Sequence, residues 1–430
     1  VSASSFVNSA SWIWSAEGSH LAPAPEESSP SHYQVRYFRR TFEVADPTAA
    51  SLHVDLSADS RYLFYCNGVF LGRGPAKGDI VHHFYDSFNL TPHLRAGKNV
   101  LSAIVQDMSR VAHRPAFLGP PCSVMTYTGG FVLEGTLQDM QGEAIIDLRT
   151  DESWKVAVDK AFRFQNENTT FEGYLGYFEH RVSGLIPEGW TGAEFDDSAW
   201  QSAHVLFKAE LKENRRDPAS PYGLMPRMIP MLEEGELERF PDAYLSGGEK
   251  VSAEWTALLE KDQSLTLAAG TTVDLVLDMG ALTTAFPNLV TSGGEGSTVR
   301  LNYAEALRLP WNTPGAKLLG KKQSLENLAA HFADEDRGWT FDRRGEVTGW
   351  GDIWDVPGRD EVFEPLHWRT FRYIGLKIEV GDTPFTLHAI KQRFTAYPYH
   401  VKAKFDSSDP DLNKIWNVGL HTMRMCSHET

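Results

Sequence analysis

The densest group of side chains able to do chemistry is Trp350-Gly-Asp352-Ile-Trp354-Asp355, followed closely by Asp360, Glu361 and Glu364. Carboxylates beside tryptophans suit hydrolysis at a sugar acetal. One carboxylic acid protonates the leaving oxygen, and a second works from the opposite face as base or nucleophile. An indole face meanwhile matches the C–H face of a sugar ring. On an extended strand Asp352 and Trp354 share one face, and Trp350 joins them where the strand continues back through Gly351. Trp350, Asp352 and Trp354 are therefore the candidate sugar-binding residues. The plainer reading, an acidic and solvated strand end, is the stronger of the two on sequence grounds.

Other motifs yield less. Gly72-Arg-Gly74-Pro-Ala-Lys77-Gly78 has the glycines of a phosphate loop, but no helix follows and Pro75 interrupts it, so a nucleotide site is rejected. His82 and His83 are adjacent, face opposite sides of a strand and cannot share a metal. No HExxH, no GxSxG and no spaced cysteine pair occurs in the sequence, so no metal ligands are assigned. Cys66, Cys122 and Cys426 are too few and too scattered for a disulfide framework. Asn168-Thr-Thr, and Asn89-Leu-Thr ahead of Pro92, are glycosylation triplets that occur often by chance. Trp154, Trp190 and Trp200 sit beside acidic and turn residues. They either stack on sugars or close the end of a β core, and the second reading is the stronger.

Composition narrows the partners. The 430 residues carry a net charge of −16, which repels nucleic acid and anionic membranes while leaving neutral ligands unaffected. No run of about 18 apolar residues is present to span a bilayer. The start, VSASSFVNSASW, has no basic stretch followed by an apolar one, which favours a cytoplasmic location. Because Val1 is not a methionine, a leader removed earlier, and hence secretion, stays open.

The elements that must position these residues read as mainly β. Short alternating runs broken by turn residues fill 1–210, including Tyr33–Val44, Ser51–Leu56, and two strands around Asn67-Gly68, the strongest short-range hairpin signal. The stretch 211–245 holds Pro218, Pro221, Pro226, Pro230 and Pro241 and reads as an extended linker. A second β-sandwich follows over 246–400, with Thr272–Met279, Thr298–Tyr303, Asp352–Val356 and Thr370–Val380 as strands. Between Ala304 and Asp352 the alternation lapses into a surface excursion with a short helix over Lys317–Phe332. The last stretch, 401–430, is the clearest helix. Asp409 caps it, Pro410 takes the first helical position, and Leu412, Ile415, Trp416, Leu420 and Met423 form one face. That face either begins a module continued outside this chain or docks back on the preceding sheet.

Several of these stretches resemble a known family. Phe38-Arg-Arg-Thr-Phe42, Tyr65-Cys-Asn67-Gly68-Val-Phe-Leu-Gly72 and Leu94-Arg-Ala-Gly97-Lys-Asn99-Val100-Leu101 resemble the jelly-roll domain ahead of the catalytic domain in α-L-rhamnosidases of glycoside hydrolase family 78. Related jelly rolls occur in β-galactosidase-like enzymes. Leu277-Asp-Met-Gly280, Leu301-Asn-Tyr-Ala-Glu305-Ala306 and Pro365-Leu-His-Trp368-Arg-Thr-Phe371-Arg372-Tyr373-Ile374 are similar to the sandwich directly before the rhamnosidase barrel. Phe405–Glu429 looks like the first helix of that six-hairpin α/α barrel. The resemblance implies two jelly-roll or β-sandwich units and the start of an α/α barrel. It implies an inverting glycosidase that needs no cofactor for its chemistry and acts on a rhamnosylated glycoside or polysaccharide.

In the family the general acid lies in an Asp-Cys-Pro-type motif shortly after the segment resembling CSHET, and the second carboxylate lies much further on. The resemblance therefore places the catalytic residues beyond Thr430 and gives Glu429 no catalytic role. It implies an inactive 430-residue portion completed by a C-terminal catalytic domain or a second polypeptide. Some family members carry a calcium-dependent rhamnose-binding module, structural or sugar-bridging, whose ligands map to no residue here. A free-standing carbohydrate-binding β-sandwich protein is the alternative, and related six-hairpin enzymes act on other deoxysugars and uronic acids.

Overall fold

The computed structural model describes residues 10–17, 34–79, 81–108, 128–164, 178–214, 220–310 and 337–429. Cys122, the triplet at Asn168 and the helix expected over Lys317–Phe332 lie outside the described residues. The chain is mainly β and divides into two compact units. The first comprises Val1–Tyr177, Leu185–Pro230 and Glu429–Thr430, the second Phe178–Gly184 and Met231–His428.

In the first unit, alternating side chains build two sheets. One runs His204–Lys208, Ser11–Trp14, Gly130–Asp139, Ala50–Asp59, His83–Asn89, Leu224–Pro226, with Ala144–Asp147 beside Gly130–Asp139. The other runs Gln201–Ser202, Lys155–Val158, Gln34–Val44, Gly97–Asp107, Arg61–Cys66, Val69–Gly74. Phe38, Phe64 and Leu101 of the second sheet share a core with Trp14, Leu52 and Phe131 of the first. The period of two puts Tyr37 and Arg39 on the opposite face from Phe38.

Asn67 and Gly68 form the expected two-residue hairpin turn, with φ of 51° and 82°, both positive as a type I′ turn requires. Asn67 does more than turn the chain. Its amide donates to Asn99 Oδ1 (2.7 Å) and its Oδ1 accepts from Val100 N (2.9 Å), while the Asn99 amide donates to the carbonyls of Arg95 (2.7 Å) and Gly97 (2.8 Å). Two separate sequence stretches thus interlock through buried asparagines, Asn67 satisfying a backbone N–H of the other stretch and Asn99 the carbonyls of its own.

Arg39 is wholly buried on its sheet face. Its Nε donates to Asp197 (2.9 Å), Nη1 to the carbonyls of Trp190 and Gly192, and Nη2 to that of Phe195, whose ring also lies against the guanidinium. One side chain therefore holds the segment that carries Trp190 and Trp200 against the sheet. Trp190 packs edge-on against Tyr37, and Trp200 packs on Phe195. Trp154 lies in the core and donates its indole N–H to the carbonyls of Leu148 and Arg149. All three tryptophans are packing residues.

The stretch 211–245, read as an extended linker lying against its neighbours, contains short strands that pair with those neighbours. Leu224–Pro226 pairs in parallel with His83–Asn89, Glu233–Arg239 with Phe385–Ala396, and Asp242–Leu245 with Thr272–Gly293. The prolines are compatible with this because Pro226 ends a strand and Pro230 and Pro241 fall between strands.

The second unit is built on one continuous sheet. Its order is Glu179–Val182, Gly351–Asp355, Thr298–Ala304, Arg369–Glu379, Thr272–Gly293, Phe385–Ala396, Glu233–Arg239. The 22-residue strand Thr272–Gly293 gives its first part to Arg369–Glu379 and its later part to Phe385–Ala396, with a register shift between Asp278 and Thr283. Asp278 sits at that irregularity, accepting from Gly280 N (2.7 Å) and from Arg372 Nε (3.1 Å). A short helix, Ala253–Lys261, buries Trp255, Leu258 and Leu259.

Arg39→Ala removes the donors to three carbonyls and leaves Asp197 without its guanidinium. Breaking such a pair should cost roughly 3 to 5 kcal/mol in urea unfolding. A change below about 1 kcal/mol would show that the Trp190–Trp200 segment holds itself in place.

Candidate functional site

Gly351 makes the local geometry of the Trp-Gly-Asp stretch. A Cβ there would meet the Leu301 carbonyl oxygen at 2.1 Å, so only glycine lets the strand Gly351–Asp355 lie against Thr298–Ala304 at this point. The strand begins at Gly351 and leaves Trp350 just outside it.

Asp352 and Trp354 do share a face, and that face is the core. Both side chains are fully buried. Asp352 receives four donors: Arg369 Nε (2.9 Å) and Nη2 (2.7 Å), Tyr303 Oη (2.6 Å) and the backbone N–H of Glu179 (2.7 Å). Trp354 donates its indole N–H to Ser183 Oγ (2.8 Å) and stacks on Phe363, ring centroids 5.2 Å apart. Neither a sugar platform nor a solvated strand end describes these two residues. A carboxylate with all its lone pairs engaged and no path to water is a fastening, not an acid or base. Of the three candidates only Trp350 keeps partial solvent access.

The centre has members that the sequence did not point to. Arg369 is buried beside the rings of Phe178 and Tyr303, its guanidinium carbon 5.1 and 5.9 Å from their centroids. Glu179 is also buried. Its Oε1 accepts from Leu366 N (2.8 Å) and lies 3.7 Å from Arg369, while its Oε2 has no hydrogen-bond partner. Burial, reinforced by the Asp352 charge and opposed by Arg369, raises the Glu179 carboxyl to about 7. A signal for Arg369 existed in the sequence, since it shares strand parity with the apolar Phe371. For Glu179, 173 residues from Asp352, none did.

Only His83 lies on a strand, as the first residue of His83–Asn89, and His82 sits in the turn before it. His82 is half-buried and pairs with Asp79 (2.9 Å), whereas His83 is buried beside Trp12 and Tyr222. Among the described residues no three His, Cys, Asp or Glu side chains are grouped to hold a metal ion. No described helix is long and apolar enough to cross a membrane.

The terminal helix spans Pro410–Met425, with Asp409 accepting from Asp411 N at its start. Its last turns are fixed. His421 Nε2 donates to the Leu282 carbonyl (2.7 Å), Arg424 pairs with Glu233 (2.5 Å), and Met425 is buried beside Thr284. Its apolar face is open. Ile415 is 66% and Val418 65% exposed, Leu412 and Met423 are exposed, Leu420 is half-buried, and Trp416 stacks on Phe405.

Arg369→Leu strands the Asp352 carboxylate and should lower stability by roughly 3 to 5 kcal/mol. The double variant Asp352→Leu, Arg369→Leu should recover part of that loss. Equal or worse destabilisation of the double variant would contradict a paired-charge role.

No protein-family model matches the sequence, and no curated protein sequence matches it. Solved structures do share its fold. A GH78 family rhamnosidase of Bacillus sp. GL1 aligns with 98% of this chain and 58% of its own at 16% identity, TM-score 0.66. The α-L-rhamnosidase of Aspergillus terreus aligns over 97% and 39% at 17% identity, TM-score 0.63. That of Streptomyces avermitilis, solved with L-rhamnose, aligns over 93% and 32% at 17% identity, TM-score 0.58. The chain therefore spans less than two thirds of the length of these structures, and it has a rhamnosidase-like fold.

Proposed function

We propose that this chain is the N-terminal, non-catalytic portion of an α-L-rhamnosidase-like glycoside hydrolase. The supporting observation is that almost all of the chain aligns with α-L-rhamnosidases of which it spans only 32% to 58%. The open helix face is consistent with this, because a row of large apolar side chains on a capped helix is a surface awaiting others. The described carboxylates add a negative argument: the best candidate, Asp352, is sealed in an ion pair. In this reading the complete enzyme hydrolyses terminal α-L-rhamnosyl residues with inversion, using two carboxylates outside these residues, and the units described here are its scaffold.

The test compares the purified 430-residue chain with the intact product of its natural gene on an aryl α-L-rhamnoside. The chain should show no turnover, and the natural product should be several hundred residues longer and active. Turnover by the chain alone, or a natural product that ends at Thr430, would overturn the reading.

The helix gives an independent check. Ile415→Ser and Val418→Ser should each change unfolding stability by no more than about 0.5 kcal/mol, as exposed substitutions do, while lowering the binding of a dye that reports apolar surface. A loss of several kcal/mol would mean that the face is buried within this chain.

A further inference from the structure

The short strand Glu179–Val182 belongs to the second unit's sheet, in parallel with Gly351–Asp355. Three polar links tie it and the residue after it to their neighbours: His180 to Asp355 (2.7 Å), Arg181 to Glu361 (2.5 Å), and Ser183 Oγ to the Trp354 indole (2.8 Å). Its first residue is chemically different from the rest. Glu179 faces Asp352, Arg369 and Tyr303 from three other strands of the sheet, and Arg181 on its own strand also acts on it.

The charges there do not balance if both carboxylates are ionised. The fork of Arg369 is already given to Asp352 through Nε and Nη2, and Tyr303 donates to the same carboxylate. Glu179 is left with one backbone N–H on Oε1 and no donor on the buried Oε2. A second full negative charge in this place would be desolvated beside the first, with one guanidinium between two carboxylates. A proton on Glu179 makes the group neutral and matches one cation to one anion.

We propose that Glu179 is a neutral carboxylic acid in the folded protein in mild acid and that its ionisation, as pH rises to neutrality, loosens the strand Glu179–Val182 from its sheet. The proton balance is simple, since Glu179 releases one proton to solvent as the strand opens. Folding raises the affinity of Glu179 for its proton above that in the open strand, so the closed state binds more protons between the ordinary glutamate range and about 7. The contribution of this group to closure is therefore full only below the ordinary glutamate range, falls as pH rises through that interval, and is lost above about 7.

Hydrogen exchange of residues 178–184 in the 430-residue chain, corrected for intrinsic rates, tests this. Protection should fall about tenfold or more between pH 5.5 and pH 8.5, and Glu179→Gln should make it nearly pH-independent. Carbon NMR of wild-type chain labelled at glutamate carboxyls provides a reading that needs no variant, and one glutamate should titrate near neutrality, well above the others. Wild-type protection that does not change with pH, a Glu179→Gln chain that loosens as the wild type does, or no glutamate titrating above pH 6 would each overturn the proposal.

Discussion

A guanidinium removed from water must be met by acceptors on every side, and this requirement fixes much of each unit. Arg369 and Arg39 are both fully or almost fully buried, at 3% and 0% exposure. Desolvating such a charge costs several kcal/mol, recovered only when carboxylate and carbonyl partners sit at hydrogen-bond distance. Arg369 therefore dictates where Asp352 and Tyr303 lie and ties strands far apart in sequence into one register. Arg39 adds three carbonyls to its carboxylate partner Asp197, so it orders a segment without regular pairing. Apolar packing supplies the larger share of stability and opposes a one-residue slip, which would turn the buried face outward, but a two-residue slip keeps the same face inside. The buried ions are indifferent to neither.

This explains which features could be read from the sequence. The Asn67-Gly68 hairpin, the alternating strands and the capped helix at Pro410 are local, their signals lying within a few residues of each other. The status of Asp352 is not local. Alternation placed it on one face with Trp354, but whether that face meets solvent or core depends on Arg369, Tyr303 and a strand from residues 179–182. That strand joins the second unit although most of the surrounding sequence belongs to the first. The short strands between 211 and 245 were hidden for a similar reason. Leu224–Pro226 is too short to show a period, and its neighbour, His83–Asn89, is remote in the chain.

The stretches that resemble rhamnosidases turn out to be residues with structural work. Asp278 of Leu277-Asp-Met-Gly280 pairs with Arg372 of the Trp368-to-Ile374 stretch, and Arg369 from that same stretch holds Asp352. Asn67 and Asn99, from two further stretches, bond to each other. Side chains of this kind identify a fold because few substitutes satisfy their partners. They say little about the chemistry a fold supports, since unrelated activities share one scaffold. Likeness carried by such residues is evidence about architecture, and catalysis must be argued from carboxylates placed at a sugar.

The terminal helix shows the same separation between what orders an element and what it is for. A 16-residue helix with Gly419 near its middle is marginal when isolated in water. Here order comes from its two ends: Asp409 satisfies a free N–H at the start, and His421, Arg424 and Met425 fasten the last turns to the second unit. The apolar face takes no part in that anchoring. Burying a large side chain is worth roughly 1.5 to 3 kcal/mol, so Leu412, Ile415, Val418 and Met423 together hold several kcal/mol that the described residues do not use. On the reading proposed above, a helix fixed at its foot with such a face open would be positioned in advance, and helices added beside it would not have to order it first.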